Sequence, residues 1–201
     1  MRLTREMVIQ GALELLDEVG LDEFTTRRLA DRLGIQSPTL YWHFKNKRAL
    51  LDAMAYAMLR EHDARPVPPP GADWHAWWRD SAHSFRRALL SRRDGARVHA
   101  GTLPSADQLP RTEAMIRLFR SAGFSPEEAL SILISLSRFI VGWVLEEQAL
   151  SSVDKEQRVL DPAPERFPLF AEALRRSAHQ SPDTAFDAGL SLLLGSLRPS
   201  A

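Results

Sequence analysis

Residues 25–47 of the chain read TTRRLADRLGIQSPTLYWHFKNK. Thr25 carries a hydroxyl where a helix would need a cap. Leu29, Ala30 and Leu33 then recur at helical spacing. Gly34 stops that helix and permits the positive φ that a sharp bend needs. Ser37-Pro38 reads as a cap followed by proline at the first helical position. The helix it opens runs only to about Phe44, and Asn46 caps the next. Two short helices joined by a glycine turn form the frame of a helix-turn-helix. Ile35 plugs the angle, and Leu29, Leu33, Leu40 and Phe44 supply a core. Gln36, Ser37, Thr39, Tyr41, Trp42 and His43 are left facing outward. They offer the donors, acceptors and flat apolar surface that base edges and thymine methyl groups require. Lys45, Lys47 and Arg48 stand where phosphates would lie. Arg27 and Arg28 open the first of the two helices, where backbone N–H groups also suit a phosphate. The segment predicts a DNA reader. The competing reading makes Tyr41 and Trp42 packing aromatics in a plain three-helix core.

Net charge taken alone opposes this. The 201 residues hold 26 basic and 26 acidic side chains, so the formal charge is zero. Within residues 25–47, however, Arg27, Arg28, Arg32, Lys45 and Lys47 face one acid, Asp31. The local balance governs binding to nucleic acid. The chain has no cysteine, which excludes disulfides and thiolate metal sites. The opening MRLTREMVIQ has no apolar signal core. The most apolar run, 132–145, is interrupted by Ser135, Ser137 and Arg138, short of the ~20 apolar residues of a membrane span. A cytoplasmic protein without membrane contact is expected.

Outward from the opening segment, nearly every stretch has helical period. Met7 to Val19 places Val8, Ala12, Leu15, Leu16 and Val19 on one face, with Gly20 as its stop. A fourth helix carries Leu50, Leu51, Met54, Ala57 and Met58. RPVPPPG at 65–71 marks a joint. Helices are then expected over Trp74–Leu90, a short Ala96–Gly101, about Leu109–Ala122, Ser125–Ala149, Arg166–Ala178 and Ser181–Leu197. Val153 to Glu165 reads as a loop. Ser125-Pro126-Glu127-Glu128 is a strong helix start. No strand signal appears. The class is all-α with about ten helices. The expected divisions are a DNA-binding domain at 1–46, a connecting helix at 47–64, and a larger ligand-binding and dimerisation domain at 72–201.

TTRRLADRLGI and PTLYWHFKNKRALLDA closely resemble the DNA-binding domain of the tetracycline repressor family. SFRRALLSRRDGARVHAGTLP, GFSPEEAL and GWVLEEQ resemble that family's regulatory core. The resemblance covers at least residues 3–150. It implies a homodimer on palindromic operator DNA, each third helix in a major groove. It implies DNA contacts from Thr26, Arg27, Pro38, Thr39, Tyr41, Trp42, His43 and Lys47. Gln36 and Ser37 replace an acid and a glutamine of the family pattern, so a changed operator is expected. One altered base contact is worth ~1–3 kcal/mol of discrimination.

The resemblance also implies a small-molecule inducer. His99, Thr102 and the partner's Glu146 match positions that hold a drug-chelated Mg²⁺, directly or through water. No cofactor is obligatory; Mg²⁺ would arrive with the ligand. Spacing alone would make His99 a structural hydrogen-bonder beside a turn. Where the family grips the drug's polar ring with histidine, asparagine and glutamine, this chain has Asp63, Ser81 and Met115. Met115 cannot replace an amide, and each missing hydrogen bond is worth about 0.5–1.5 kcal/mol. Leu103 beside Thr102 and Pro104, and Arg138 on the eighth helix, depart as well. Phe85, Leu130 and Leu133 keep an apolar wall. The pocket is therefore expected to take a flat, partly apolar compound, a modified polyketide or another chelator, in preference to tetracycline. Apolar faces on 125–149 and 182–197 suit a four-helix dimer interface. The rival readings are a DNA-binding regulator controlled by a protein partner without an inducer, and an enzyme. The second lacks a Ser-His-Asp pattern, HExxH or a phosphate loop.

Overall fold

The structure, a computed structural model, describes residues 3–62, 65–151 and 163–200. Among these, ten α-helices and one 3₁₀ turn account for all regular structure, and there is no strand. Two compact units arise: residues 1–148 with 199–201, and residues 149–198.

In the first unit, α1 (Arg5–Glu23) opens on Thr4, whose hydroxyl accepts from the Met7 N–H at 3.2 Å. Gly20 does not end it, as the sequence suggested. It bends the helix at φ 75° and the chain resumes through Glu23. The reason is steric as well as conformational. A Cβ on Gly20 would lie 2.9 Å from Arg93 Nε, so the bare backbone lets Arg93 approach. Next come α2 (Thr26–Leu33), α3 (Ser37–Leu40) and α4 (Lys47–His62). Thr25 caps α2 through the Arg28 N–H at 3.1 Å, and Asn46 caps α4 through the Ala49 N–H at 2.8 Å. Gly34 takes the left-handed conformation expected of it, φ 66°. The cap of α3 differs from expectation: Ser37 is already helical and Gln36 precedes it without a side-chain bond. The helix proper closes at Leu40, but turns carry the chain on, with the Phe44 N–H donating to the Leu40 carbonyl at 2.9 Å.

The four helices bury Val8, Leu16, Phe24, Leu29, Leu40, Phe44, Leu50, Met54 and Met58 in one cluster. A large aliphatic or aromatic side chain buried so fully contributes roughly 1.5–3 kcal/mol. One member comes from far along the chain. Val98, 1% exposed, belongs to the same cluster.

The rest of the unit comprises α5 (Trp74–Leu90), α6 (Gly95–His99), the 3₁₀ turn Ala106–Gln108, α7 (Leu109–Ser121) and α8 (Pro126–Ser151). The 3₁₀ turn was not legible in advance. Asp94 bends the chain into α6 at φ 56°. α8 starts as its sequence demands: the Glu128 N–H donates to Ser125 Oγ at 3.1 Å, and the Ser125 N–H to the Glu128 carboxylate at 2.7 Å. By length and composition α8 does reach what a membrane span needs, contrary to the reading of its interrupted run. Ser135 and Ser137 do not break a helix. Only 28% of its most apolar window is buried.

In the second unit, α9 is Pro168–Ser177 and α10 is Pro182–Ser196. Phe186, Leu190 and Leu194, one per turn of α10, are buried, while Leu192 is 78% exposed. The loop expected over Val153–Glu165 lies mostly outside the described residues, as does Asp63.

Candidate functional site

The outward face of the helix-turn-helix carries large exposed aromatics. Trp42 is 88% exposed and Tyr41 54%. Neither packs in the core, which removes the competing reading for Trp42. Gln36 and Pro38 are exposed; Thr26, Ser37, Thr39 and His43 are half-buried on the same elements.

The cations behave less simply. Arg28 binds Glu23 at 2.6 Å, and Arg32 binds Glu18 and Glu14 at 2.7 and 3.1 Å. Acids of α1, outside the 25–47 window, therefore neutralise half of its apparent charge. Lys47 turns inward: its ammonium donates to the Phe24 carbonyl at 2.8 Å and lies over the Phe24 ring. It closes α4 onto the end of α1. Arg48 pairs with Asp52 at 2.9 Å and reaches the Ala100 carbonyl at 3.4 Å, away from the place expected for a phosphate ligand. Arg27 and Lys45 remain exposed, with no ion pair among the described residues.

A second site gathers around α6. The His99 ring meets Phe85 edge-on at 4.9 Å. Burial, and then the positive charge of Arg48, lower the His99 pKa to about 4, so its imidazole is neutral at pH 7. The Thr102 N–H donates to the His99 carbonyl at 3.0 Å, holding the turn that Leu103 and Pro104 continue. Ser81 of α5 is buried; Met115 of α7 and Leu133 of α8 are half-buried. Leu103 (79%), Leu130 (46%), Pro104, Arg138 and Glu146 are exposed in the single chain. Next to Glu146, Glu147 grips the buried Arg86 of α5 at 2.6 and 2.9 Å, which fixes this part of α8 against α5. Gln148 adds bonds to the Leu89 and Arg92 carbonyls at 3.3 and 2.9 Å.

The two sites share α6. Three consecutive residues point to three places: Arg97 to Asp22 of α1 at 3.0 Å, Val98 into the core beneath the DNA-reading helices, and His99 to Phe85. Arg92 and Arg93 strengthen the junction. Arg92 pairs with Asp17 at 2.9 Å and Glu61 at 3.1 Å, and the Arg93 guanidinium donates to the Glu18 carbonyl at 2.9 Å. Asp94 receives the Leu21 N–H at 2.8 Å. Sequence reasoning missed this junction. Its trace was the basic run at 92, 93 and 97 set against acids at 17, 22 and 61.

A helix-turn-helix whose core is completed by a helix of a sensor domain defines a DNA-binding regulator of transcription. Residues 8–54 match the model for bacterial regulatory proteins, tetR family, and residues 67–199 match the tetracyclin repressor-like C-terminal domain. The tetracycline repressor protein class C of Escherichia coli is 48% identical over 200 residues, covering 98% of this chain and 91% of that protein. Among solved structures, a variant TetR from Acinetobacter baumannii AYE in complex with minocycline is 43% identical, with a TM-score of 0.78 and 96% of each chain covered. TetR (class A) in complex with 5a,6-anhydrotetracycline and magnesium is 43% identical, with a TM-score of 0.74, covering 98% of this chain and 100% of that one. The chain belongs to the tetR family, and within it is a ligand-responsive, DNA-binding transcriptional repressor.

Proposed function

We propose that the protein acts as a cytoplasmic homodimer on a palindromic operator and is released by a flat, partly apolar chelating compound, a modified polyketide being the best fit. The observation that carries this reading is α6, which bears His99 on the sensor side and Val98 in the core of the reading head. A ligand that displaces His99 must also disturb the packing beneath α4. Moving α4 changes the separation of the two third helices, which must match half-sites one helical turn apart. To swing the dimer from mostly bound to mostly free, the ligand must prefer the free form by ~5.5 kcal/mol. The DNA contacts are Thr26, Arg27, Gln36, Ser37, Pro38, Thr39, Tyr41, Trp42 and His43. Lys47 serves by anchoring α4.

The ligand lies among Ser81, Phe85, His99, Thr102, Met115 and Leu133. Its edge facing Ser81 and Met115 is less polar than that of tetracycline. A magnesium ion arriving with the ligand fits the donor set. Neutral His99 would offer it a lone pair, and Thr102 and the partner's Glu146 would help to hold it. When bound, Mg²⁺ would supply a fixed positive charge to the ligand's oxygens. The protein carries out no catalysis in this reading.

Calorimetry with tetracycline and Mg²⁺, beside a mobility-shift assay on DNA flanking the gene, tests the proposal. Binding of tetracycline weaker than micromolar is expected. Micromolar or tighter binding overturns the altered pocket. A ligand that binds tightly yet leaves operator affinity unchanged overturns the switch.

A further inference from the structure

The indole of Trp78 is 8% exposed, and its Nε1–H has no hydrogen-bond partner among the described residues. The neighbouring indole is provided for: Trp77 Nε1 donates to the Pro66 carbonyl at 3.2 Å. A buried donor left unmade is costly, so native proteins rarely keep one without a use. The position of Trp78 suggests the use. On α5, Trp78, Ser81 and Phe85 follow at three and seven residues and so share a face. Phe85 touches His99. Seven helical residues span about 10 Å, which suits a ligand of several fused rings. Across from it, Trp78 stacks on Phe119 of α7 at 5.5 Å and 19°. Phe119 lies one turn beyond Met115. The indole thus shares a helix face with Ser81 and Phe85, and the ring it stacks on lies one turn from Met115, whose thioether cannot donate to a ligand.

We propose that Trp78 is a specificity-determining residue of the inducer site. Its Nε1–H donates to an acceptor oxygen, a ketone or enolate, on the ligand edge that faces Ser81 and Met115. The neighbouring Phe119 and Met115 make the rest of that edge apolar. The site thereby selects an aromatic, acceptor-bearing ring over one that needs several polar partners. The assignment rests on the ligand site proposed above.

The test follows the indole N–H resonances of the ¹⁵N-labelled dimer as anhydrotetracycline, minocycline or tetracycline is added with Mg²⁺. The chain has five tryptophans, and Trp78→Phe identifies the relevant signal while keeping a ring on Phe119. If that variant fails to fold, Trp→Phe changes at Trp42, Trp74, Trp77 and Trp143 identify it by elimination. The expected result is a downfield shift and exchange protection of the Trp78 proton with at least one probe. Trp78→Phe should weaken that probe roughly three- to tenfold and leave operator affinity without ligand unchanged. Binding with the Trp78 resonance unmoved overturns the assignment and spares the inducer site, as it would if the N–H only faced the ring of Trp77. No binding by any of the three compounds, measured calorimetrically, overturns the inducer site and the assignment with it.

Discussion

Trp42 and His99 show two opposite uses of a ring. Trp42 carries 88% of its surface to solvent, the most of any large hydrophobic side chain among the described residues. Its removal should therefore cost binding and not stability. Trp42→Ala is expected to lower operator affinity by about tenfold or more, since a base or methyl contact is worth ~1–3 kcal/mol. Unfolding free energy should stay within about 0.5 kcal/mol. Parallel mobility-shift and denaturation curves check both. His99 is the reverse case. Its pKa falls from 6.5 to about 4 through burial and then Arg48. Between those values the unfolded chain holds a proton that the folded chain lacks, so stability rises with pH. The contribution is whole above pH 6.5 and is lost as pH falls toward 4, about 3 kcal/mol in all. A His99→Gln variant should lack this slope in urea titrations across that window. At this scale the sequence spoke unevenly. Exposure of Trp42 could not be read from its spacing, because a tryptophan four residues past a proline suits a core as well as a groove. Thr25 and Asn46, whose capping acts only on the next turn, were fully legible.

Among the elements, α6 has the fewest residues in relation to what it joins. Val98→Ala would empty part of the head's core and cost roughly 1–3 kcal/mol. Its more informative effect is on coupling. Anhydrotetracycline with Mg²⁺ should bind the variant with little change, yet displace less operator DNA at saturation. By linkage, operator DNA should then weaken ligand binding less than it does in the parent. Equal displacement in both proteins would mean that α6 acts through another contact. Helices and their starts were readable because caps, prolines and apolar period are local signals. The junction of α6 with α1 was not, because its pairs span more than seventy residues, as Leu21 with Asp94 does. Gly20 was misread for the same reason: what it accommodates is Arg93, far along the chain.

For the molecule as a whole, we expect the dimer to form through exposed apolar faces. α8 keeps Leu130 and Ile134 partly in solvent, and α10 exposes Leu192. Leu192→Glu should convert the dimer to monomer in sedimentation experiments and reduce operator affinity by at least about a hundredfold. A dimer of unchanged stability would place the interface elsewhere. The family's architecture was evident from the chain, but burial across a subunit boundary has no signature distinct from burial within one.

The pairing of Arg28 with Glu23 and of Arg32 with Glu14 and Glu18 bears on how this protein finds its site. Affinity for DNA grows largely from counterions released when cations meet phosphates, with a slope of about −0.9 per contact in log K against log salt. With Arg27 and Lys45 the uncommitted cations among the described residues of the reading segment, each head should contribute a slope of only about −2. Operator affinity measured from 50 to 300 mM KCl should fall gently, and non-operator DNA should be held weakly. A steep slope would mean that the arginines abandon their carboxylates on binding. A repressor built this way spends little time on the rest of the chromosome, so few molecules suffice to keep an operator occupied.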